Sequence, residues 1–192
     1  MGKLILVLFA YFLGSLLFGQ IIANRKGIDL RKIGSGNVGA TNVGRALGKK
    51  YGILVFILDM FKGFLPTALA VSLYGLESKV TAVVGIASVL GHMFSIFDGF
   101  KGGKGVATAF GVLLALSFKV ALLSLAVWVA LLYLRRYVSL ASVGTSLIAT
   151  VLIAIGDFPF HIFLMSAVIS GLIIYKHRDN LRRIVEGTEP RV

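Results

Sequence analysis

The sequence predicts an all-α, polytopic membrane protein with about seven transmembrane helices. Of its 192 residues, 57% are hydrophobic, and the mean hydropathy is +0.92. A soluble domain of this size would not be so apolar. The apolar residues also fall in long blocks, which is the pattern of membrane spans. The absence of cysteine excludes a disulfide framework and thiol chemistry.

Seven apolar segments are predicted to span the membrane, and we expect residues 1–192 to form a single integral-membrane domain. The first segment could pass for a signal peptide, but it is about twenty residues long and lacks a convincing cleavage site, so we predict a retained helix. The fourth and fifth meet at Lys119 and could instead be one broken segment, which would give six spans. The segments are residues 4–23, 52–75, 79–97, 105–118, 120–134, 138–156 and 159–175.

The distribution of Lys and Arg favours seven spans. With the N-terminus outside, 16 of the 20 basic residues fall on the inner side, in residues 24–50, 98–104, 135–137 and 176–192. With six spans, Arg135-Arg136 and the basic C-terminal segment would lie on opposite sides. Because positive residues concentrate in cytoplasmic loops, the sequence predicts an external N-terminus and a cytoplasmic C-terminus. The net charge of +12 follows from this topology, and we expect no nucleic-acid partner.

Two charged residues, Asp59 and Lys62, stand out within the predicted spans. They are three residues apart, so they share a helix face and can pair. Charges inside a membrane are expensive and usually face a protein interior or a polar cavity. Asp59 and Lys62 could form a structural ion pair or take part in function, and the sequence leaves both alternatives open.

The first of three polar clusters on the predicted inner side covers residues 34–45. Glycine can adopt backbone angles that other residues resist, so such a segment can point several N–H groups at one spot. Backbone donors and a closing Arg suit a phosphate; a flexible polar loop is the alternative. The Gly34–Gly39 match to G-x-G-x-x-G is rejected because no strand precedes it. The candidate phosphate ligands are Ser35, Gly36, Asn37, Gly39, Thr41, Asn42 and Arg45.

The second cluster begins at Gly91-His92 and continues from Phe97 to Thr108. In this cluster Gly102, Gly103 and Gly105 would let the backbone approach an anion, and Lys104 supplies a charge. A helix N-terminus follows, and its dipole also favours an anion. The segment is not a Walker motif, because Gly follows Lys104 where Ser or Thr is required. A glycine-rich turn between helices is the alternative.

In the third cluster, His177, Asn180 and Arg183 recur every three residues, so they lie near one face if the helix continues. His could move a proton or bind an anion, and Asn could orient an oxygen. A basic helix end held at anionic lipid headgroups is the alternative. Ser139 and Ser142 could reach the same site or bond to their own backbone. Because all three clusters fall on the predicted inner side, we predict one composite site there.

Together these motifs resemble the bacterial acyl-phosphate:glycerol-3-phosphate acyltransferases, the PlsY family. The resemblance implies a multi-pass enzyme of the bacterial plasma (inner) membrane with its active site at the cytoplasmic face. Such enzymes transfer a fatty acyl group from long-chain acyl phosphate to the 1-hydroxyl of glycerol 3-phosphate, an early step of phospholipid synthesis that gives lysophosphatidic acid and phosphate. The blocks that carry it are Ser35–Arg45, Asp59-x-x-Lys62-Gly63, Gly91-His92 leading to Gly102–Thr108, and His177-Arg178-x-Asn180 leading to Gly187-Thr188-Glu189.

The resemblance also implies roles for individual residues. The Ser and Arg of the first block and the His and Asn of the third are needed, and the glycine loop serves glycerol 3-phosphate binding. A Glu of the third block is structural, and Glu186 or Glu189 could fill that place. The predicted catalytic residues are Ser35, Arg45, Lys104, His177 and Asn180; Ser142, His92, Asp59, Lys62 and Glu186 are secondary candidates.

The residues indicate direct attack by the acceptor hydroxyl, without an acyl-enzyme. No Ser-His-Asp triad, metal cluster or cofactor motif is evident, so we expect no metal and no cofactor. His92 and Asp98 are six residues apart, whereas the soluble-type glycerolipid acyltransferases place Asp five residues after His. The base could be His177 or the acceptor phosphate, whose second pKa is near 6. The alternative function is a transporter of a small phosphorylated solute, although the chain shows no internal repeat.

Overall fold

The computed structural model describes residues 1–192 and contains ten α-helices and no strand. The predicted all-α class is confirmed. The helices are α1 (Gly2–Gly14), α2 (Phe18–Arg25), α3 (Ala40–Leu47), α4 (Lys49–Tyr74), α5 (Lys79–Met93), α6 (Val106–Leu116), α7 (Phe118–Arg135), α8 (Val138–Ile155), α9 (Phe160–Lys176) and α10 (Arg178–Val185), with short 3₁₀ turns at Leu30–Lys32 and Ile96–Asp98.

Five segments are long and apolar enough to cross a membrane: the α1–α2 pair, α4, α5, α7 and α8. The bent pair α9–α10 makes a sixth if it counts as one span. Helix α6 has 11 residues, about 16 Å, which is short beside a hydrocarbon core of about 30 Å. The multi-pass class is therefore confirmed, while the count of about seven spans and the orientation of the termini stay predictions.

Residues 105–118 and 120–134 form two helices that run in opposite directions. Extended backbone at Ser117 ends α6, and the Ser117 hydroxyl accepts a hydrogen bond from the Val120 N–H and so caps α7. The starts of α6 and α8 lie at the same end of the bundle, because Lys104 and Ser139 both join one hydrogen-bonded network through Asn180. The chain therefore leaves that end through α6 and returns through α7.

The first predicted span is broken at residues 15–17 rather than continuous over 4–23. Two backbone carbonyls freed at the break accept tertiary hydrogen bonds, from Lys62 Nζ to Leu16 O at 2.6 Å and from Ser95 Oγ to Ser15 O at 2.7 Å. An unsatisfied carbonyl in lipid would cost several kcal/mol, so these donors make the break tolerable. The predicted pair also forms, with 3.0 Å between Lys62 Nζ and Asp59 Oδ1. The contact with Leu16 supports a structural role for Lys62.

Close packing between α4 and α6 fixes the start of α6. A methyl group at Gly63 would overlap the Thr108 carbonyl oxygen, and one at Gly111 would overlap the Met60 carbonyl oxygen. Small residues at such crossings let two backbones approach within a membrane. The larger apolar core lies on the other side of α6, where Val112 packs with residues of α5, α8 and α9.

The two chain termini lie at opposite ends of the bundle. Lys3 Nζ lies 5.8 Å from the centre of the Tyr74 ring at the end of α4. The Val192 N–H donates to the Arg136 carbonyl at 2.9 Å, next to the start of α8. The three polar clusters lie at the Arg136 end.

Candidate active site

One cavity of about 520 Å³ brings the three polar clusters together. Its mouth is polar and cationic, and its interior runs between α6, α7, α8 and α9 to Ile153 and Met165. The mouth is lined by Gly34, Ser35, Asn37, Gly39, Thr41, Asn42, Arg45, Lys104, Gly105, His177, Asn180, Arg183 and Glu189. The composite site predicted from the sequence is thus present as a single concave surface.

Asn42 shapes the first cluster from inside. Its Oδ1 accepts a hydrogen bond from the Ser35 N–H at 3.0 Å, and its Nδ2 donates to the carbonyls of Leu30 and Ile33 at 3.1 and 3.0 Å. The buried side-chain amide is therefore occupied by groups of the protein. Gly36 does not line the cavity and makes a turn with φ of +67°. Phosphate binding by Asn42 and Gly36 stays a prediction.

The rest of the first cluster stays available to a ligand. Three exposed residues of the cavity wall offer polar side chains, namely the hydroxyls of Ser35 and Thr41 and the guanidinium of Arg45. Helix α3, which starts at Ala40, was not predicted within this cluster. It holds Thr41 and Arg45 on consecutive turns, so both lie on the face toward the cavity.

The glycine loop of the second cluster is pressed against the end of α5. Methyl groups at Gly102 and Gly103 would overlap His92, and neither glycine lines the cavity. Tight packing against α5 therefore excludes a side chain at both positions, and the approach of these two glycines to an anion stays a prediction. Gly105, with φ of +77°, lines the cavity and starts α6.

Lys104 projects from this loop into the cavity and donates a hydrogen bond to Asn180 Oδ1. Burial lowers the pKa of Lys104 from 10.5 to about 8. The carboxylate of Glu189 opposes this shift, and the neighbouring Arg183 adds to it. Lys104 is therefore a cation at neutral pH whose charge can be lost in mildly alkaline solution.

Glu189 joins the C-terminal segment to α8 and α10. Its Oε1 accepts hydrogen bonds from Asn180 Nδ2 at 2.7 Å and from Ser139 Oγ at 2.8 Å, and its Oε2 accepts from Arg183 Nε at 2.9 Å. Although burial raises the pKa of Glu189, these three hydrogen bonds lower it below 4.5 overall. Glu186 does not line the cavity and pairs with Arg182 on the surface. Of the two candidate glutamates, only Glu189 reaches the site.

His177 is buried at the junction of α9 and α10 and lines the cavity. Its Nδ1 lies 2.8 Å from the Ile173 carbonyl oxygen. Because a carbonyl only accepts, Nδ1 carries the proton, and in the neutral ring Nε2 is left with a lone pair. No protein group hydrogen-bonds Nε2, so it is free to accept a proton from a ligand.

Three of the secondary candidates, Ser142, His92 and Asp59, line the same cavity, whereas Lys62 and Glu186 do not. Ser142 Oγ donates to the Val138 carbonyl at 2.8 Å and accepts from Trp128 Nε1 at 3.2 Å. His92 Nδ1 lies 3.8 Å from Asp59 Oδ1, whereas Asp98 pairs with Arg31 at the surface. Ser142 is thus a wall residue, and His92 faces Asp59 rather than Asp98.

Sequence reasoning missed the residues that line the cavity inside the bundle. Trp128 is the only tryptophan of the chain, and Ser146 and Ser170 hydrogen-bond each other at 3.0 Å between α8 and α9. The available signal was the helical spacing of Ser139, Ser142 and Ser146, which places hydroxyls on one face of an otherwise apolar span.

The fold and the cavity define a multi-pass membrane protein in which a cationic cavity mouth leads to a largely apolar interior. A family model described as glycerol-3-phosphate acyltransferase matches residues 4–187. The chain is 54% identical over 191 residues to the glycerol-3-phosphate acyltransferase of Aquifex aeolicus (strain VF5), covering 100% of both chains. It is 48% identical to that of Hydrogenobaculum sp. (strain Y04AAS1), covering 96% of this chain and 94% of the relative. The chain therefore belongs to the glycerol-3-phosphate acyltransferase family.

Two solved structures share the fold. One is a crystal structure of PlsY (YgiH), an integral membrane glycerol 3-phosphate acyltransferase, in its glycerol 3-phosphate form. Its TM-score is 0.99 at 54% identity, with 100% of this chain and 96% of that chain covered. The other is the lysophosphatidic acid form, with a TM-score of 0.95 at 53% identity and coverage of 100% and 95%.

Proposed function

We propose that this protein transfers a fatty acyl group from long-chain acyl phosphate to the 1-hydroxyl of glycerol 3-phosphate. The products are lysophosphatidic acid and inorganic phosphate. One observation carries the proposal: a single cavity joins a mouth with Arg45 and Lys104 to an apolar interior that ends at Ile153 and Met165. Relatives solved in glycerol 3-phosphate and lysophosphatidic acid forms support the acceptor and the product.

The shape of the cavity fits a donor with a phosphate at one end and a fatty chain at the other. From Ser139 at the mouth to Ile153 in the interior, α8 rises about 21 Å, at 1.5 Å per residue. The acyl chain would lie along this interior, and its phosphate at the mouth. Arg45 suits a phosphate because its planar guanidinium can make two parallel hydrogen bonds, and Ser35 and Thr41 add hydroxyl donors.

We assign the acceptor phosphate to Lys104. The ammonium group is a compact point charge that can turn three donors toward a phosphate. Its contact with Asn180, whose amide is held by Glu189, keeps the ammonium at the cavity wall. Two phosphates at two separate cations would bring the acceptor hydroxyl and the acyl carbon together, which is the main contribution that positioning makes to a reaction of two substrates.

The proposed chemistry is one displacement at the acyl carbon. The 1-hydroxyl oxygen forms a bond to that carbon, the bond from the carbon to the phosphate oxygen breaks, and phosphate leaves with the electron pair. Acyl phosphate is a mixed anhydride, so it is already activated. The cations at the mouth stabilise the charge that develops on the leaving phosphate.

The hydroxyl proton has two candidate acceptors. His177 Nε2 carries a lone pair because Nδ1 donates to Ile173, so it can accept the proton. Burial lowers the pKa of His177 to about 4, which makes the ring a weak base. A phosphate oxygen of glycerol 3-phosphate could take the proton instead, since its second pKa is near 6. A His177→Gln protein that keeps near-normal turnover at saturating substrate would assign the role to the substrate phosphate.

We place this activity in the bacterial inner membrane, with the cavity mouth at the cytoplasmic face, and assign it to residues 1–192 as one domain. The basic residues concentrate at the end of the bundle that holds the mouth, which is the pattern of a cytoplasmic face. Glycerol 3-phosphate would then enter from the cytoplasm, and the fatty chain from the surrounding membrane lipid.

The test is acyl transfer by the purified protein in lipid, with labelled glycerol 3-phosphate and either palmitoyl phosphate or palmitoyl-CoA. We expect lysophosphatidic acid and released phosphate from palmitoyl phosphate. Product from palmitoyl-CoA alone would keep the acceptor and reject the donor. Binding of glycerol 3-phosphate without product from either donor would favour a transporter.

A further inference from the structure

The loop that carries Lys104 takes its shape from one side chain of α5. The Gly103 N–H donates to the backbone carbonyl of His92 at 3.0 Å. A methyl group added at Gly103 would overlap Nε2 of the His92 ring. The imidazole therefore fills the space that a side chain at position 103 would need. Because Gly103 directly precedes Lys104, the place of this ring determines where the Lys104 side chain begins.

The opposite edge of the ring faces α4. His92 Nδ1 lies 3.8 Å from Asp59 Oδ1, which lies 3.0 Å from Lys62 Nζ, and all three side chains are buried. Lys62 in turn donates to the Leu16 carbonyl at the break of the first span. The ring thus lies between the Asp59 carboxylate on one side and the glycine loop on the other.

Packing alone does not require an imidazole in this place. His92 Nδ1 is buried and makes no hydrogen bond in the protein, and a buried polar atom without a partner is costly. An apolar side chain of similar volume would fill the same space without that cost. The polar ring lines the same cavity as Lys104 and contacts the glycine loop that carries Lys104.

We propose that His92 is a positioning residue for Lys104: its ring, packed between Asp59 and Gly103, fixes the loop at Gly103 and so sets the binding site of the acceptor phosphate. This rests on the proposed function, in which Lys104 binds glycerol 3-phosphate. The residues assigned to the donor phosphate, Ser35 and Arg45, belong to a different segment, residues 34–45. Loss of the ring should therefore raise the KM for glycerol 3-phosphate and leave the KM for acyl phosphate unchanged.

A double-mutant cycle tests the contact. We expect Gly103→Ala to raise the KM for glycerol 3-phosphate about tenfold or more, since a displacement of about 1 Å in a site can cost on the order of 10²-fold. His92→Ala should raise it about threefold to tenfold by the same reasoning. In the double variant the added methyl group enters the space that the ring has left. The rise in KM of the double variant should then be smaller than the product of the rises in the two single variants, which is the signature of residues in contact.

Gly102→Ala is the matched control. A methyl group at Gly102 would overlap the backbone carbonyl of His92 rather than its ring, so His92→Ala gives no relief. The effects of Gly102→Ala and His92→Ala should multiply. His92→Gln keeps a polar side chain, so its KM for glycerol 3-phosphate should be closer to the wild-type value than that of His92→Ala. If His92→Ala does not fold, His92→Ser takes its place in the cycle.

Three results would overturn the role of His92. They are multiplicative effects in the Gly103 cycle, an equal rise in both KM values, and folded variants with unchanged kinetics. The dissociation constant of glycerol 3-phosphate from calorimetry follows the same cycle without turnover. A wild-type protein that binds glycerol 3-phosphate but makes no product contradicts the proposed function, while the calorimetric cycle still decides on His92. A wild-type protein that does not bind it contradicts both.

Discussion

The two glycine-rich segments at the mouth of the cavity have similar compositions but are built in different ways. In residues 34–45 a polar side chain does the shaping, because the amide of Asn42 ties together Leu30, Ile33 and Ser35. In residues 102–105 the absence of side chains does the shaping, because Gly102 and Gly103 lie directly against His92. One segment presents its polar groups to the cavity, and the other presents only Lys104 and Gly105.

The comparison shows that a glycine-rich run in a membrane protein is not by itself an anion cradle. Glycines near a cavity can serve close packing, and an asparagine among them can serve the backbone. The four predictions below test this difference between the segments, from the largest expected effect to the smallest.

The largest effect is expected at the one charge of the second segment that enters the cavity. Lys104→Met should lower kcat/KM for glycerol 3-phosphate by about 10²- to 10³-fold, because loss of one partner of a charge pair in a binding site costs about 2–5 kcal/mol. Lys101→Met is the control, because Lys101 belongs to the same loop but is exposed and does not line the cavity. Initial rates at varied glycerol 3-phosphate measure both, and equal losses would contradict the assignment.

The pH dependence of kcat/KM gives a second test of the charge on Lys104. Burial lowers the pKa of Lys104 to about 8, so below pH 8 the ammonium is charged and above it the charge is lost. We expect kcat/KM for glycerol 3-phosphate to fall above about pH 8, by about tenfold per pH unit, because one proton is lost. In Lys104→Arg the fall should disappear from this range, since arginine stays protonated. The same alkaline fall in both proteins would assign it to another group.

A smaller effect is expected where a side chain shapes the first segment. Asn42→Asp keeps the acceptor for the Ser35 N–H but cannot donate to Leu30 or Ile33. The free energy of unfolding should fall by about 1–3 kcal/mol, because the buried Leu30 carbonyl and the partly buried Ile33 carbonyl lose their donor, and activity should fall with it. Asn24→Asp is the exposed control, where only a contact with Gln20 is altered. If Asn42→Asp has the melting temperature of the wild type, the claim that the Asn42 side chain shapes residues 34–45 is wrong.

The smallest effects are expected among the glutamates of the C-terminal segment. Glu189→Gln keeps an acceptor for Asn180 and Ser139 but loses the charge that pairs with Arg183, at a cost of about 1 kcal/mol. Glu186→Gln breaks only an exposed pair with Arg182, worth about 0–1 kcal/mol. Thermal denaturation and turnover should separate the two, and a larger loss at Glu186 would contradict the structure.

The sequence predicts those features that depend on residue type and on spacing. Long apolar blocks gave the helical membrane class, and the basic segments grouped the three polar clusters at one end of the bundle. The pairing of Asp59 with Lys62 followed from a three-residue spacing on a helix. These patterns are local, so they can be read without knowing which helices become neighbours.

Features that depend on tertiary neighbours could not be predicted. The break at residues 15–17 is tolerated only because Lys62 and Ser95 reach the free carbonyls from other parts of the fold. The composition of residues 102 and 103 predicts a loop that binds an anion, and only the position of His92 shows that both glycines pack against α5. Glu189 could not be chosen over Glu186, because its three donors come from α8 and α10.

Crossed initial-rate kinetics with palmitoyl phosphate and glycerol 3-phosphate test direct transfer within one cavity. Both substrates would occupy the cavity together, so we expect reciprocal plots that intersect and no release of phosphate when glycerol 3-phosphate is absent. Parallel plots, with a burst of phosphate before the acceptor is added, are the signature of a covalent acyl-enzyme. That result would contradict direct attack and would require a nucleophile on the protein.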